Sequence, residues 1–185
     1  FSGMVKILIE QSKPDIVFVI EKDMAAAQNK AFSGAVEDDG IFKFTQAKIN
    51  FLSEHCGTVV IDDQFYKPHL TSGVTAIIVE RLRSAKTNVS DFDDLRIERQ
   101  EYLEEFRFGL RRLDGYKGAN LIKNRVAEQL CEQKFCYFSN RDNLHAFYGD
   151  LALHQTTEMI EKLKPGYEKI IEDFLKVRNA KSASD

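Results

Sequence analysis

DIVFVIE, residues 15–21, and TVVIDD, residues 58–63, are the stretches that decide the fold. Each is a nearly continuous run of apolar and β-branched residues that ends in carboxylates. Strands that helices cover on both faces of a parallel sheet have this composition. Further β-branched and amphipathic stretches alternate with them along the first half of the chain: DMAAAQNKAF, GIFKFTQ, AKINFLSEHC and TAIIVERL. The sequence therefore predicts an α/β fold with a mostly parallel sheet and flanking helices.

Two segments beside these strands have patterns that fit a helix or an edge strand. SGMVKILIEQS, residues 2–12, has apolar residues at helical spacing and ends before Lys13 and Pro14. It predicts a helix that leads into the first strand, with a strand over VKILIE as the alternative. GIFKFTQ, residues 40–46, alternates apolar and polar residues and is predicted as an edge strand.

The pattern becomes helical after Ser90. Ser90 and Asp93 predict a capping box, and apolar residues at steps of three and four predict a helix of about 20 residues that ends at Asp114 and Gly115. Three more helices are predicted: over 119–133, over 142–163, and after a break at Pro165 and Gly166. The expected division is an α/β sheet lobe over 1–89, a packed helical lobe of about four helices over 90–179, and a disordered tail over 180–185.

The composition is that of a globular protein, with 185 residues of which 43% are hydrophobic. Lys and Arg number 26 against 29 Asp and Glu, so the net charge of -3 gives no global attraction to nucleic acid or anionic membrane. We see no apolar run long enough for a membrane span and no secretory signal, which predicts an intracellular, cytoplasmic protein. Cys56, Cys131 and Cys136 are expected to be reduced packing residues. Phe1 in place of Met indicates a tag remnant or a piece of a longer chain, or a natural start at Met4.

Three carboxylates end the two predicted core strands: Glu21, Asp62 and Asp63. Because the carboxyl ends of parallel strands meet where open α/β sheets place their ligands, these side chains are expected to come close together. Clustered carboxylates repel one another unless a hard cation binds them, and Mg²⁺ is held through a few carboxylates, waters and substrate phosphates. The three acids therefore predict an Mg²⁺ site. The alternative is that they are polar strand ends that cap the following helices.

IVFVIEKDMAAAQ, residues 16–28, resembles the first strand and helix of the toprim fold. That fold is shared by type IA topoisomerases, bacterial-type primases, topoisomerase VI and the nucleases of the overcoming-lysogenisation-defect family. The resemblance covers about residues 14–85. It implies that Glu21 is an acid/base or a metal ligand and that Asp62 and Asp63 hold Mg²⁺, so that all three are catalytic in phosphodiester chemistry on nucleic acid.

FRFGLRRLDGYKGANLIKNR, residues 106–125, is a basic segment with aromatic residues between its cations. Its cations are the candidate nucleic-acid-binding residues: Arg107, Arg111, Arg112, Lys117, Lys123 and Arg125. Such a segment is expected to contact phosphates and to stack on bases. Gly115 to Gly118, followed by a predicted helix, is similar to the loop with which KH domains clamp a nucleic-acid backbone. The alternative is a helix that is acidic at its start and basic at its end, which the helix dipole favours without a partner.

Arg141 and His145, near the start of a predicted helix, are similar to the catalytic signature of HEPN ribonucleases. Their four-residue step places both on one helical face.

Two functions follow from these features. The first is metal-dependent phosphodiester chemistry on nucleic acid, by a toprim-like nuclease or strand-transfer module that uses Mg²⁺. The alternative is a non-catalytic regulatory or assembly module with a receiver-like sheet lobe. Its helical lobe would then form a homodimer or bind a protein partner, through the aromatic residues Phe138, Phe147, Tyr148 and Phe174. We expect no membrane partner.

Overall fold

The computed structural model describes residues 3–20, 29–63, 73–84, 88–148 and 155–182. The chain divides into two compact units. The first comprises Phe1–Gln64 and Leu103–Arg125, and the second comprises Phe65–Tyr102 and Val126–Asp185. Each unit is therefore built from two separate stretches of the sequence.

The described residues form α-helices, β-strands and two short 3-10 helices, Val36–Asp38 and Val89–Phe92. The α-helices are α1 (Gly3–Ser12), α2 (Gly40–His55), α3 (Val74–Arg83), α4 (Arg99–Glu105), α5 (Arg107–Gly115), α6 (Val126–Leu130) and α7 (Thr157–Ser182). The strands are β1 (Ile16–Val19), β2 (Thr58–Asp62), β3 (Arg96–Glu98), β4 (Leu121–Asn124) and β5 (Phe135–Tyr137).

The first unit contains a parallel sheet of three strands, with β2 between β1 and β4. Val59 and Val60 of β2 have no solvent exposure, although their side chains point to opposite faces of a strand. This burial is expected for a strand that is covered on both faces. The predicted α/β fold with a parallel sheet is confirmed, and the two quoted stretches supply two of its three strands.

Helix α2 packs on the sheet through two apolar clusters. Ile49 shares one cluster with Ile61 of β2, and Leu52 shares the other with Val59. Ile49 and Leu52 are 0% and 1% exposed, and burial of side chains of this size contributes about 2 kcal/mol each. The clusters also include residues of α1 and α5, so three helices fix the position of the sheet.

GIFKFTQ begins α2, and its prediction as an edge strand is wrong. Asp39 caps the helix, because its side chain accepts a hydrogen bond of 2.9 Å from the backbone N–H of Phe42. An alternation over only seven residues does not distinguish a strand from a helix. The helix here buries Phe42 and, two turns later, Ile49.

The parallel pairing of β1 and β2 starts at a close approach of two backbone segments. The N–H of Gly57 donates to the carbonyl of Pro14 at 3.0 Å. A Cβ at Gly57 would lie 2.5 Å from the carbonyl oxygen of Asp15, which is too close for any side chain. Gly57 is therefore required at the point where β2 meets the chain that enters β1.

Strand β4 lies where a helix over 119–133 was predicted, and only Val126–Leu130 of that span is helical, as α6. Val60 of β2 pairs with Ile122 of β4 across the sheet. This pairing brings residues of the second half of the sequence into the first unit. For this reason the compact units do not coincide with the lobes expected over 1–89 and 90–179.

The second unit contains an antiparallel pair, β3 and β5, in which Ile97 lies opposite Cys136. Cys136 forms a disulfide with Cys131, so the expectation that all cysteines are reduced is wrong. A single pair that is five residues apart gives none of the regular spacing of a disulfide framework, which explains the error. Cys56 is a free, buried thiol.

The helix of about 20 residues predicted after Ser90 is interrupted by β3. The predicted capping box at Ser90 and Asp93 is replaced by one at Asn88 and Asp91, which begins the 3-10 helix Val89–Phe92. Ile97, which lies outside the predicted apolar face of that helix, is buried in β3 at 2% exposure. Here a tertiary strand pairing overrides a local helical pattern.

Two further helix predictions are corrected around α7. Residues 142–148 form turns and isolated bridges rather than the start of a helix. Helix α7 runs through Pro165 and Gly166, where a break was predicted, and reaches Ser182 inside the predicted tail. A Cβ at Gly166 would meet the end of the Gln129 side chain of α6, which would have to shift to make room. Most of DMAAAQNKAF, and residues 183–185, lie outside the described residues.

Candidate functional site

The carboxyl edge of the parallel sheet carries a buried polar pair. Asp62 ends β2, Asn124 ends β4, and the two residues face each other in the strand register. The Nδ2 of Asn124 donates to Oδ1 of Asp62 at 2.9 Å. Asp62 is 9% exposed and Asn124 is 7% exposed. A buried amide that donates to a carboxylate stabilises its charged form and fixes its orientation.

Asp63 extends this arrangement beyond the strand. Its backbone N–H donates to the carbonyl of Asn124 at 2.9 Å, and the residue is half-buried. Glu21 lies outside the described residues, but Ile20 before it is described and follows β1, at the same edge of the sheet. Among the residues that the structure describes, no three His, Cys, Asp or Glu side chains are grouped as ligands for a metal ion.

Arg112 is a structural residue and does not belong to an exposed basic surface. Its side chain has 0% exposure, and it binds Asp39 through two hydrogen bonds, Nε to Oδ1 at 2.8 Å and NH2 to Oδ2 at 3.0 Å. The Arg112 guanidinium lowers the pKa of the Asp39 carboxyl to about 2. The pair joins the start of α2 to α5, so the prediction that Arg112 binds nucleic acid is corrected.

Three other cations of the predicted set have partners within the first unit. Arg125 forms an ion pair with Asp114, and Lys123 donates to the backbone carbonyl of Asp114 at 2.6 Å. Arg107 lies 2.8 Å from the carboxylate of Glu104. Such exposed pairs contribute at most about 1 kcal/mol, so a phosphate could displace them.

Arg111 and Lys117 are cations of the predicted set that form no salt bridge with a carboxylate within the described part of the first unit. Both residues are exposed. The guanidinium of Arg111 stacks over the ring of Phe32 at 4.6 Å and donates to the carbonyl of Gly34 at 3.3 Å. The side-chain amide of Gln46 holds the backbone of Lys117. The Lys117 N–H donates to Oε1 of Gln46 at 2.9 Å, and Nε2 of Gln46 donates to the Lys117 carbonyl at 2.7 Å.

The glycines of the KH-like loop serve packing. A Cβ at Gly115 would lie 2.9 Å from the ring of Phe42, and one at Gly118 would lie 3.0 Å from the side chain of Ser53. The loop leads into β4, not into a helix. The helix pair that a KH clamp requires is therefore absent over 116–124.

Arg141 and His145 do not share a helical face, because the described residues around them form turns. Arg141 lies 3.1 Å from Asp93, and His145 lies 3.4 Å from Glu158. Each of the two residues thus has its own acidic partner, which overturns the HEPN-like reading of the pair.

Sequence reasoning missed Asn124 as the partner of Asp62. The residue fell within the predicted helix over 119–133, and the apolar run before it has only two members, Leu121 and Ile122. So short a run gives no strand signal of its own.

Comparison of the chain with models of protein families, with curated proteins and with solved structures finds no match. None of the described helices is both long enough and apolar enough to cross a membrane.

Proposed function

We propose that the carboxyl edge of the parallel sheet is an active site for metal-dependent phosphodiester chemistry on nucleic acid. The observation that supports this proposal is the buried hydrogen bond between Asn124 and Asp62 at the ends of adjacent parallel strands. Open α/β sheets bind their ligands at this edge. A carboxylate kept there in a fixed orientation is suited to hold a cation or to position a water.

The proposed ligands of Mg²⁺ are Asp62, Asp63 and Glu21. Their oxygen donors fit a hard cation, which keeps several waters and binds through one or two carboxylates. When bound, the ion would activate water and neutralise charge on a phosphate. Asn124 would hold the Asp62 carboxylate in one orientation, as groups behind metal ligands do.

The exposed cations of the first unit would hold the phosphate backbone. Arg111 and Lys117 are the first candidates, because Arg112 is committed to Asp39 inside the unit. Lys123 and Arg125 could exchange Asp114 for a phosphate. Backbone neutralisation of this kind gives affinity that falls with salt and does not depend on base sequence.

The test is cleavage of labelled single-stranded and duplex DNA and RNA with Mg²⁺ or Mn²⁺. We compare the unmodified protein with Asp62→Asn and Glu21→Gln. Asp15→Asn is the matched control, because Asp15 is an exposed carboxylate at the amino end of the same sheet. We expect metal-dependent cleavage that falls about 100-fold or more in the first two variants and persists in the control. Absence of cleavage, or equal cleavage by all four proteins, would refute the proposal.

A second candidate function is assembly through α7, with a second copy of the chain as the partner. Over residues 164–179 none of the described side chains of this helix is buried. Ile171, Leu175 and Val177 are 41%, 45% and 58% exposed. The apolar positions along α7 recur at steps of three, four or seven, as in a helix that packs on another helix: Ile160, Tyr167, Ile170, Phe174 and Val177.

The aromatic residues first expected at such an interface are not accessible, with the exception of Phe174. Phe138, Phe147 and Tyr148 are 1%, 3% and 6% exposed and belong to the core.

The test of assembly is the molar mass in solution measured by light scattering. We expect a dimer that Val177→Lys dissociates and that Glu172→Lys, on the exposed polar side, leaves intact. A monomer at every concentration would exclude this function.

A further inference from the structure

Glu158, in the first turn of α7, is the centre of a polar cluster in the second unit. Asn140 donates through Nδ2 to Oε1 of Glu158, and Asn143 donates through Nδ2 to Oε2 at 3.2 Å. The Nδ1 of His145 lies 3.4 Å from Oε2. The hydrogen bond from Asn140, followed by that from Asn143, lowers the pKa of the Glu158 carboxyl. Three neighbouring groups of one turn thus converge on a single carboxylate.

The turn that brings these groups together is held by the same two asparagines. Oδ1 of Asn140 accepts from the N–H of Asp142 at 2.8 Å, and Oδ1 of Asn143 accepts from the N–H of His145 at 3.0 Å. Leu144 between them has φ of 59°, a left-handed conformation that leucine rarely adopts. A backbone outlier of this kind costs about 1–3 kcal/mol and persists where the surroundings impose it. The backbone that carries His145 is therefore held beside Glu158.

The cluster borders an open groove of about 520 Å³. Its other wall is α3, which contributes the apolar side chains of Ile78, Val79 and Leu82. Val79 and Leu82 are 40% and 43% exposed. The volume lies within the range of small-molecule sites, which are mostly apolar with a few convergent polar groups.

We propose that this groove binds a small amphipathic alcohol or phenol, whose apolar body lies on α3 and whose hydroxyl donates to Nε2 of His145. The carboxylate of Glu158 faces Nδ1, so the neutral imidazole keeps its proton on that nitrogen and presents Nε2 as an acceptor. His145 and Glu158 both line the groove, and both oxygens of the Glu158 carboxylate already face donors of the cluster, so Nε2 is the ring nitrogen left to accept a hydrogen bond from a ligand. An acceptor beside an apolar wall selects a ligand with one donor and an apolar body.

The probe is 4-ethylphenol, and its matched control is 4-ethylanisole, which has the same apolar body without the donor. Binding is followed by two-dimensional NMR of the methyl groups of Val79 and Leu82 and of the side-chain nitrogens of His145. We expect saturable shifts at these groups with 4-ethylphenol and about tenfold weaker binding of 4-ethylanisole, the effect of one lost hydrogen bond. Shifts should be absent from residues of the first unit.

Variants separate the role of the imidazole from that of the groove. His145→Ala is expected to bind both compounds equally weakly, whereas His55→Ala, a change in the first unit, should bind them as the unmodified protein does. Glu158→Gln should move the nitrogen shifts of His145 towards a mixture of its two neutral forms and reduce the preference for the phenol. Equal binding of the two compounds to the unmodified protein would overturn the proposal, and so would absence of saturable shifts.

Discussion

Replacement of Asp39 by asparagine should destabilise the first unit by about 3 kcal/mol at pH 7. Asparagine caps a helix as well as aspartate does, so the cap on the Phe42 N–H is expected to survive. The charge of Arg112, however, would remain at 0% exposure without its carboxylate partner. Removal of one partner of a buried ion pair costs about 3–5 kcal/mol, and the lower end applies because Asp39 is 11% exposed.

The same pair makes the stability of the folded state decrease as the pH falls. The pKa of Asp39 is lowered from 3.8 to about 2 in the folded protein, so the folded state binds this proton more weakly than the unfolded state. The stabilisation is therefore complete above pH 4 and is lost as the pH falls through 2. The difference between the two pKa values corresponds to about 2 kcal/mol. The deficit of Asp39→Asn should shrink by about this amount between pH 5 and pH 2.

The assay is urea denaturation followed by far-ultraviolet circular dichroism at pH 7, 5, 3 and 2. Asp38→Asn is the control, because Asp38 is an exposed neighbour in the same turn, and its effect should stay within about 0.5 kcal/mol. If Asp39→Asn were as stable as Asp38→Asn, or if its deficit were the same at pH 5 and pH 2, the account of this pair would be wrong.

Two further changes test other parts of the fold. Replacing Cys131 and Cys136 together by serine should lower the free energy of unfolding by about 2 kcal/mol, the chain-entropy value for so small a loop. A reductant should destabilise the unmodified protein by a similar amount and leave the variant unchanged. Thermal melts with and without reductant check both expectations. Gly57→Ala should cost about 1–3 kcal/mol, because its Cβ would meet the Asp15 carbonyl, whereas Gly40→Ala, which has open space, should be neutral or stabilising in the same melts.

The buried strands could be predicted because their composition is distinctive. Strands β1 and β2 are short apolar runs rich in β-branched residues, the composition of strands covered on both faces of a parallel sheet. Strand β4 could not be predicted, since Leu121 and Ile122 precede a polar end and also fit the helical spacing that continues to Val126. Its assignment depends on pairing with β2, which is a tertiary interaction and leaves no local signal.

The residues of the candidate sites likewise fall into those that the sequence predicts and those that only the tertiary structure identifies. Asp62 could be singled out because it ends an apolar run, whereas its partner Asn124 becomes visible only once β4 is placed. The convergence of Asn140, His145 and Glu158 depends on a left-handed residue, Leu144, that no propensity favours. Arg112 shows the converse error, because a sequence gives its charge but not its burial.

The late position of β4 in the sequence has a consequence for biosynthesis. Asp62 and Asn124 are separated by 62 residues, so their contact forms only after this whole stretch has been made. A nascent chain that ends before Leu121 has β2 as an open edge, with Val59, Val60 and Ile61 ready to pair with other strands. Synthesis therefore passes through an aggregation-prone interval that closes when β4 leaves the ribosome, and chaperone demand should be greatest during that interval.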